Sequence, residues 1–200
     1  MKNLLILFLT LFLCVGLFVA IESQPEMFDK PAEVRFYETK LEYGATILYM
    51  MSKNVPNYKR QLYVDSIIES TLKWSNEFDV DILWAFALIG RESCFNPTAK
   101  GKNGDCGLTQ ITMSAVREYE RYFNEKIDKK EMFDINTNIK IGIWYLSRKL
   151  HENKDDYRVA LAKYNAGRFW NTHGLKYYRL VKEVRTDILT IKYDLNMTLK

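Results

Sequence analysis

Apolar residues along the chain recur at helical rather than strand spacing. The stretch "PAEVRFYETKLEYGATILYMMSK" opens on Pro31, whose fixed φ and missing N–H suit the first helical position. "QLYVDSIIESTLKWSNEF" sets Leu62, Ile67, Ile68 and Leu72 near one face of a helix. In "DVDILWAFALIGRE" either Asp79 or Asp81 can cap the start, and apolar residues follow on almost every side, which predicts a central, buried helix. Thr112 caps "TMSAVREYERYF". Asp134 caps "DINTNIKIGIWYLSRKL", which presents Ile139, Ile143, Leu146 and Leu150. "DYRVALAKYNAG" stops at Gly167, a glycine suited to the position just past a helix end. A last helix covers about Leu175 to Ile191. Few alternating segments compete, and no repeat or low-complexity tract appears. The pattern predicts one all-α domain over residues 32–200.

The first residues follow a different rule. In "MKNLLILFLTLFLCVGLFVAIES" no charge interrupts the run from Leu4 to Ile21, close to the roughly 18–20 residues that cross a bilayer. The apolar part of a cleavable signal is shorter, about 7–15 residues. Cleavage after Ala20 would also put bulky Phe18 where a small side chain is required. Residues 1–21 are therefore expected to be an uncleaved signal-anchor helix in the cytoplasmic membrane, with secretion after cleavage as the alternative. Residues 22–31, with Pro25 and Pro31, form a juxtamembrane spacer. Lys2 precedes the run and Glu22, Glu26 and Asp29 follow it, which leaves the N-terminus in the cytoplasm and the domain outside it, in the cell envelope. Cys14 does not mark a lipoprotein, because Leu13 is too large and the apolar run continues past it; it reads as a small hydrophobe.

Composition narrows the function. With 48% apolar residues the chain can bury a sizeable core. A net charge of +4, spread along the sequence, does not point to nucleic acid. His151 and His173 lie far apart, and no spacing of Cys and His matches a zinc site, so neither metal nor cofactor is expected. Outside the cytoplasm, Cys94 and Cys106 permit one disulfide, which would stabilise the fold by roughly 3 kcal/mol through chain entropy.

Chemistry concentrates in "GRESCFNPTAKGKNGDCGLTQ", residues 90–110. Glu92 stands at the C-terminal end of the most apolar helix. Desolvation and the negative end of the helix dipole both raise its pKa, toward the range a general acid needs. Arg91 is the competing, neutralising neighbour. Asn96-Pro97 then opens a loop whose glycines let backbone approach a ligand closely. Gln110 closes that loop, and "KYNAG" brings Tyr164 and Asn165 to another helix end. Singly, Tyr164 reads equally as a half-buried core residue, and Gln110 as a satisfied loop amide.

Together, "RESCFNP", "GDCGLTQI", "NTNIKIGIWYL" and "ALAKYNAG", in this order, resemble the soluble lytic transglycosylase domain, a lysozyme-like family that cleaves bacterial peptidoglycan. The resemblance covers roughly Asp79 to Gly167 and continues more weakly to about Val184. It implies a lysozyme-like helical fold with a saccharide cleft. It further implies cleavage of the β-1,4 bond between N-acetylmuramic acid and N-acetylglucosamine, with a 1,6-anhydro product. Glu92 matches the family's single catalytic acid/base. Ser93, Gln110, Tyr164 and Asn165 match its substrate-contacting positions, the Tyr-Asn pair also holding the glutamate. Two residues depart from the pattern. Thr109 replaces the usual Met and implies a thinner sugar-contacting wall. Lys163 replaces a small residue; at a cleft rim it would meet peptide-stem carboxylates, but it reads more simply as a solvated lysine. The cysteine pair is not general to the family.

Three other readings compete. A hydrolytic muramidase would use Glu92 and a second carboxylate roughly 5–10 Å away, for which Asp105 is the candidate, although it reads more simply as a turn aspartate. A non-catalytic wall-binding component of a secretion or phage-entry machine would have no need of Glu92. "GKNG" superficially fits the GxxG clamp of RNA-binding KH modules, but no strand pattern surrounds it.

Overall fold

Asp81, Thr112 and Asp134 start their helices as the sequence predicts, each accepting a hydrogen bond from the backbone N–H three residues on, at 3.0, 3.2 and 2.8 Å. Asp79 instead occupies the left-handed region, at φ 51°, in the turn before the cap. The structure is a computed structural model that describes residues 31–52 and 54–198. The anchor expected over 1–21 and nearly all of the spacer over 22–31 lie outside the described residues. No helix among the described residues is long and apolar enough to cross a membrane.

Helices α1 (Ala32–Met51), α2 (Asn57–Glu77), α3 (Ile82–Ser93), α4 (Met113–Phe123), α5 (Ile135–His151), α6 (Tyr157–Ala166) and α7 (Leu175–Thr198) make the architecture. A 3-10 turn at Glu131–Phe133 precedes α5, and a 3-10 and π segment over 167–174 joins α6 to α7. Among the described residues there is no strand. Cys106 forms isolated bridges with Lys100 and Ile111.

α3 is the central helix. Ala85, Phe86, Ala87, Leu88 and Ile89 are fully buried in it, as a helix apolar all round requires. α7 packs along α3, α2 against α5, and α6 lies between α5 and α7. α1 joins this core through Ile47 and Met51 and through Tyr43, whose ring lies 5.4 Å from that of Phe86. Gly90 sets the α3–α7 approach: a Cβ there would fall 2.9 Å from Cγ1 of Val184. The buried face of α5 contains Ile139, Ile143, Leu146 and Leu150, as expected.

Two expectations shift. On α2 the buried face is Val64, Ile67, Ile68, Thr71 and Ser75, whereas Leu62 is 70% exposed. At about 100° per residue, Leu62 stands more than 100° from both Ile67 and Ile68, so it cannot share their face. α7 continues to Thr198, past Ile191. Tyr177, Val181 and Ile188 are buried on one face of it, Val184 packs partly buried beside them, and Lys192 pairs with Glu42 of α1 farther on.

A smaller cluster of Ile111, Val116, Tyr119, Met132, Ile141 and Trp144 lies under α4. Tyr119 and Trp144 meet edge to face at 5.2 Å. This cluster fixes the far end of the loop between α3 and α4, and that loop holds the chemistry.

Candidate active site

Glu92 occupies the last turn of α3 and is half-buried. Its pKa is pushed up to about 7, chiefly by burial, with a smaller push from the charge of Asp105. Two groups act the other way: the Tyr177 phenol, which donates a hydrogen bond to Oε1, and Arg91. Among the described residues the Tyr177 phenol is the side-chain donor to this carboxyl, whose proton is poised near neutrality.

Tyr177 was not among the residues the sequence singled out. It is 6% exposed, on the face of α7 that packs along α3. The close approach of α7 at Gly90, two residues before Glu92, brings it within reach. A signal existed, since the spacing of Tyr177, Val181, Val184 and Ile188 puts the tyrosine on a buried stripe, and a buried phenol needs a polar partner. Which partner it finds is a tertiary matter.

After α3 the chain turns through two consecutive left-handed residues, Cys94 (φ 48°) and Phe95 (φ 59°). The fully buried Phe95 ring, 6.4 Å from that of Phe86, anchors this reversal. The loop then passes beside Glu92, and side chains from four places hold its inner stretch, residues 106–109. The carbonyl of Cys106 accepts from Asn138 Nδ2 at 2.9 Å, and that of Gly107 from Gln110 Nε2 at 2.8 Å. The carbonyl of Leu108 accepts from Ser93 Oγ at 2.8 Å, and that of Thr109 from Tyr164 Oη at 2.9 Å. Four successive carbonyls are thereby satisfied and fixed in direction.

This cradle gives several of the expected site residues partners within the protein. Ser93 turns inward, also bonding the Ile89 carbonyl at 3.1 Å, and Gln110 also reaches the Ala99 carbonyl at 3.3 Å. Tyr164 does not hold the glutamate: its phenol goes to Thr109. It does lie near Glu92, because its pKa is raised well above the ordinary value by burial first and by the Glu92 charge second. Asn165 is exposed at the end of α6. Thr109 is fully buried and lines no sugar-contacting wall. Its N–H and hydroxyl both donate to Asn138 Oδ1 at 2.9 Å, and it fills the space that Gly142 leaves on α5, where a Cβ would lie 2.4 Å from Thr109 Oγ1.

Cys94 and Cys106 are free thiols, in place of the expected bridge. The local geometry gives each another task. Cys94 is the left-handed C-cap of α3, its N–H donating to the Gly90 carbonyl. Cys106 is paired with Ile111 through backbone bonds of 3.1 Å in both directions, and its thiol donates to the Gly104 carbonyl at 3.2 Å.

The described residues thus define an all-helical class of protein, with a half-buried glutamate of raised pKa at a helix end beside a clamped irregular loop. The comparisons narrow that class. The profile described as "Transglycosylase SLT domain" matches residues 69–182, and the chain belongs to that family. Among solved structures it is similar to an inactive mutant of the lytic transglycosylase Slt from Pseudomonas aeruginosa, at 18% identity and a TM-score of 0.56, covering 82% of this chain and 30% of that one. It is also similar to the 70-kDa soluble lytic transglycosylase of Escherichia coli (18% identity, TM-score 0.50, 78% of this chain and 27% of that one). A complex of the 70-kDa soluble lytic transglycosylase with bulgecin A matches comparably (18% identity, TM-score 0.51, 83% of this chain and 30% of that one). The chain thus spans under a third of the length of these proteins, and the likeness establishes a shared lysozyme-like helical fold. No curated protein matches significantly.

Proposed function

We propose that the chain is a peptidoglycan lytic transglycosylase that cleaves the β-1,4 bond between N-acetylmuramic acid and N-acetylglucosamine and leaves a 1,6-anhydro end. The observation that carries this reading is the state of Glu92: half-buried, with its pKa pushed up to about 7, and oriented by Tyr177. At neutral pH roughly half of such a group is protonated, so it can both give and take a proton.

The steps balance on this one residue. Glu92 donates its proton to the glycosidic oxygen as the C1–O bond breaks, and the departing sugar leaves with a hydroxyl. The resulting carboxylate takes the proton of the muramoyl C6 hydroxyl while that oxygen bonds to C1. Glu92 ends protonated, and no water is consumed. The clamped loop supports the chemistry by holding the ground beside the carboxyl rigid. Asn165, exposed next to Tyr164, is the residue we assign to substrate contact at the rim. The similar structures, transglycosylases from two bacteria and a complex with bulgecin A, support this reading.

One observation favours a second reading. Asp105 is close enough for its charge to raise the Glu92 pKa, and a hydrolytic muramidase needs a second carboxylate. Mass analysis of digested peptidoglycan separates the two, since anhydro ends are lighter than reducing ends by one water. Glu92→Gln should abolish release of either product; clearing by that variant at the wild-type rate refutes the assignment of the acid.

The uncharged run from Leu4 to Ile21 supports an envelope protein anchored in the cytoplasmic membrane with this domain outside. Such an enzyme would open the wall locally, for turnover or for the passage of a secretion or phage-entry machine.

A further inference from the structure

α1 carries two apolar faces, and the core covers one of them. Tyr43, Ile47 and Met51 are buried against the rest of the domain. Tyr37, Leu41, Ala45 and Tyr49 form a second row, four residues apart, along the exposed side of the same helix. Leu41 is 84% exposed, Tyr37 62% and Tyr49 60%. The outer face of a helix on a soluble domain is ordinarily polar, and a contiguous apolar row there marks a contact surface.

The row borders a groove. A cavity of about 420 Å³ between α1 and α2 is walled by Tyr37, Leu41, Ala45 and Leu48 on one side and Val64 on the other. Two charges beside it are answered within the protein, Lys40 by Asp65 at 2.7 Å and Glu42 by Lys192. Glu38, about 60° round the helix from Leu41, is exposed at the edge of the row. From Tyr37 to Tyr49 the row runs about 18 Å, with a phenol at each end and Leu41 and Ala45 between.

The chain itself says what lies nearby. The uncharged run ends at Ile21, and only residues 22–31 separate it from Ala32. Ten extended residues span at most about 35 Å, so a run anchored in a bilayer keeps the start of α1 close to the membrane surface.

We infer that α1 docks on the membrane in which the chain is anchored. Its outer row lies along the bilayer surface, Leu41 entering the acyl boundary and Tyr37 and Tyr49 standing at the headgroups. Tyrosine suits that depth, because its ring is apolar and its hydroxyl seeks water or a headgroup. A helix lying in the interface buries its apolar face by roughly 5–10 Å, the depth of one row of side chains. The inference rests on the anchored reading given above. Tyr43, on the inner face of α1, packs on Phe86 of α3, so docking also fixes the direction of the Glu92 helix relative to the bilayer.

The test uses the full chain reconstituted in vesicles of phosphatidylethanolamine and phosphatidylglycerol, with and without bromine on the acyl chains. Leu41→Trp places a fluorophore at the centre of the row, and Arg117→Trp places one on the exposed side of α4 as a control. Brominated lipid should quench the added emission of Leu41→Trp several-fold more than that of Arg117→Trp, and the Leu41→Trp emission should be blue-shifted. Equal quenching of the two variants overturns the docking. Shielding of Leu41→Trp that varies with the protein-to-lipid ratio makes a second copy of the chain the occupant and overturns it as well. The two readings fail separately: release of wild type from the vesicles by alkaline carbonate sinks the anchor, whereas retention without excess quenching at Leu41→Trp sinks only the docking.

Discussion

Tyr177 on α7 donates its phenolic hydrogen to the carboxyl of Glu92 on α3, across 85 residues of sequence. That bond favours the charged carboxylate, while burial favours the neutral acid more strongly, and the balance leaves the proton near neutrality. Tyr177→Phe removes the only effect of the pair that both orients the group and lowers its pKa. Its alkaline limb of activity should move to higher pH, with kcat reduced about tenfold or more and KM little altered. A pH–rate profile of purified enzyme on solubilised glycan reads this; an unshifted limb would show that Tyr177 does not act on the proton.

The raised pKa also has a cost in stability, and its sign is fixed. Glu92 moves from 4.5 to about 7 on folding, so the native state binds the proton more tightly than the unfolded chain. Stability contributed by the neutral acid is therefore full below about pH 4.5 and is lost as pH rises through 7. Glu92→Gln keeps an oxygen for Tyr177 and cannot ionise. It should stabilise the protein at pH 8 by on the order of 1–3 kcal/mol, the gain vanishing toward pH 4.5. Thermal melts at several pH values check it.

The loop clamp predicts a different pair of variants. Asn138→Ala leaves the buried N–H of Thr109 and the Met132 carbonyl without their side-chain partner and should cost roughly 2–4 kcal/mol. Gly142→Ala drives a methyl into Thr109 and should cost about 1–3 kcal/mol. Both should lower activity beyond what lost stability explains, because the loop stretch they release lies beside Glu92. Denaturant melts and activity at a temperature well below unfolding separate the two effects.

With both thiols free, adding a reductant should leave the melting temperature where it is, and Cys106→Ser should fold. A bridge closing this loop would be worth roughly 3 kcal/mol, several degrees in the melt of a domain this size. A fall of that size on reduction would show that a bridge forms in solution.

The close approach at Gly90 is equally exposed to test. A Cβ there meets Val184 at 2.9 Å and Met50 and Phe95 at 3.2 Å, so Gly90→Val pushes α7 away from α3. Activity should fall far more than stability, since the displaced helix carries Tyr177. The alkaline limb of the surviving activity should shift as it does in Tyr177→Phe.

Much of this was legible in the residues themselves. The helices that begin at Asp81, Thr112 and Asp134 follow from caps and apolar spacing, which are properties of neighbours in the chain. The burial of Glu92 follows from eight apolar residues before it. The family follows from the order of its motifs. What the motif residues do was decided by the tertiary structure. Ser93, Gln110 and Tyr164 each look like ligand contacts, yet each gives a hydrogen to a carbonyl between residues 107 and 109. Every residue but one type carries the same backbone donor and acceptor, so no sequence pattern marks which carbonyl a side chain will find. Likewise a tyrosine on an apolar stripe announces that it needs a partner, and only the packing of α7 on α3 names Glu92. Local periodicity and capping act over one or two turns and are written in consecutive letters; the proton site depends on distances between helices, which those letters do not contain.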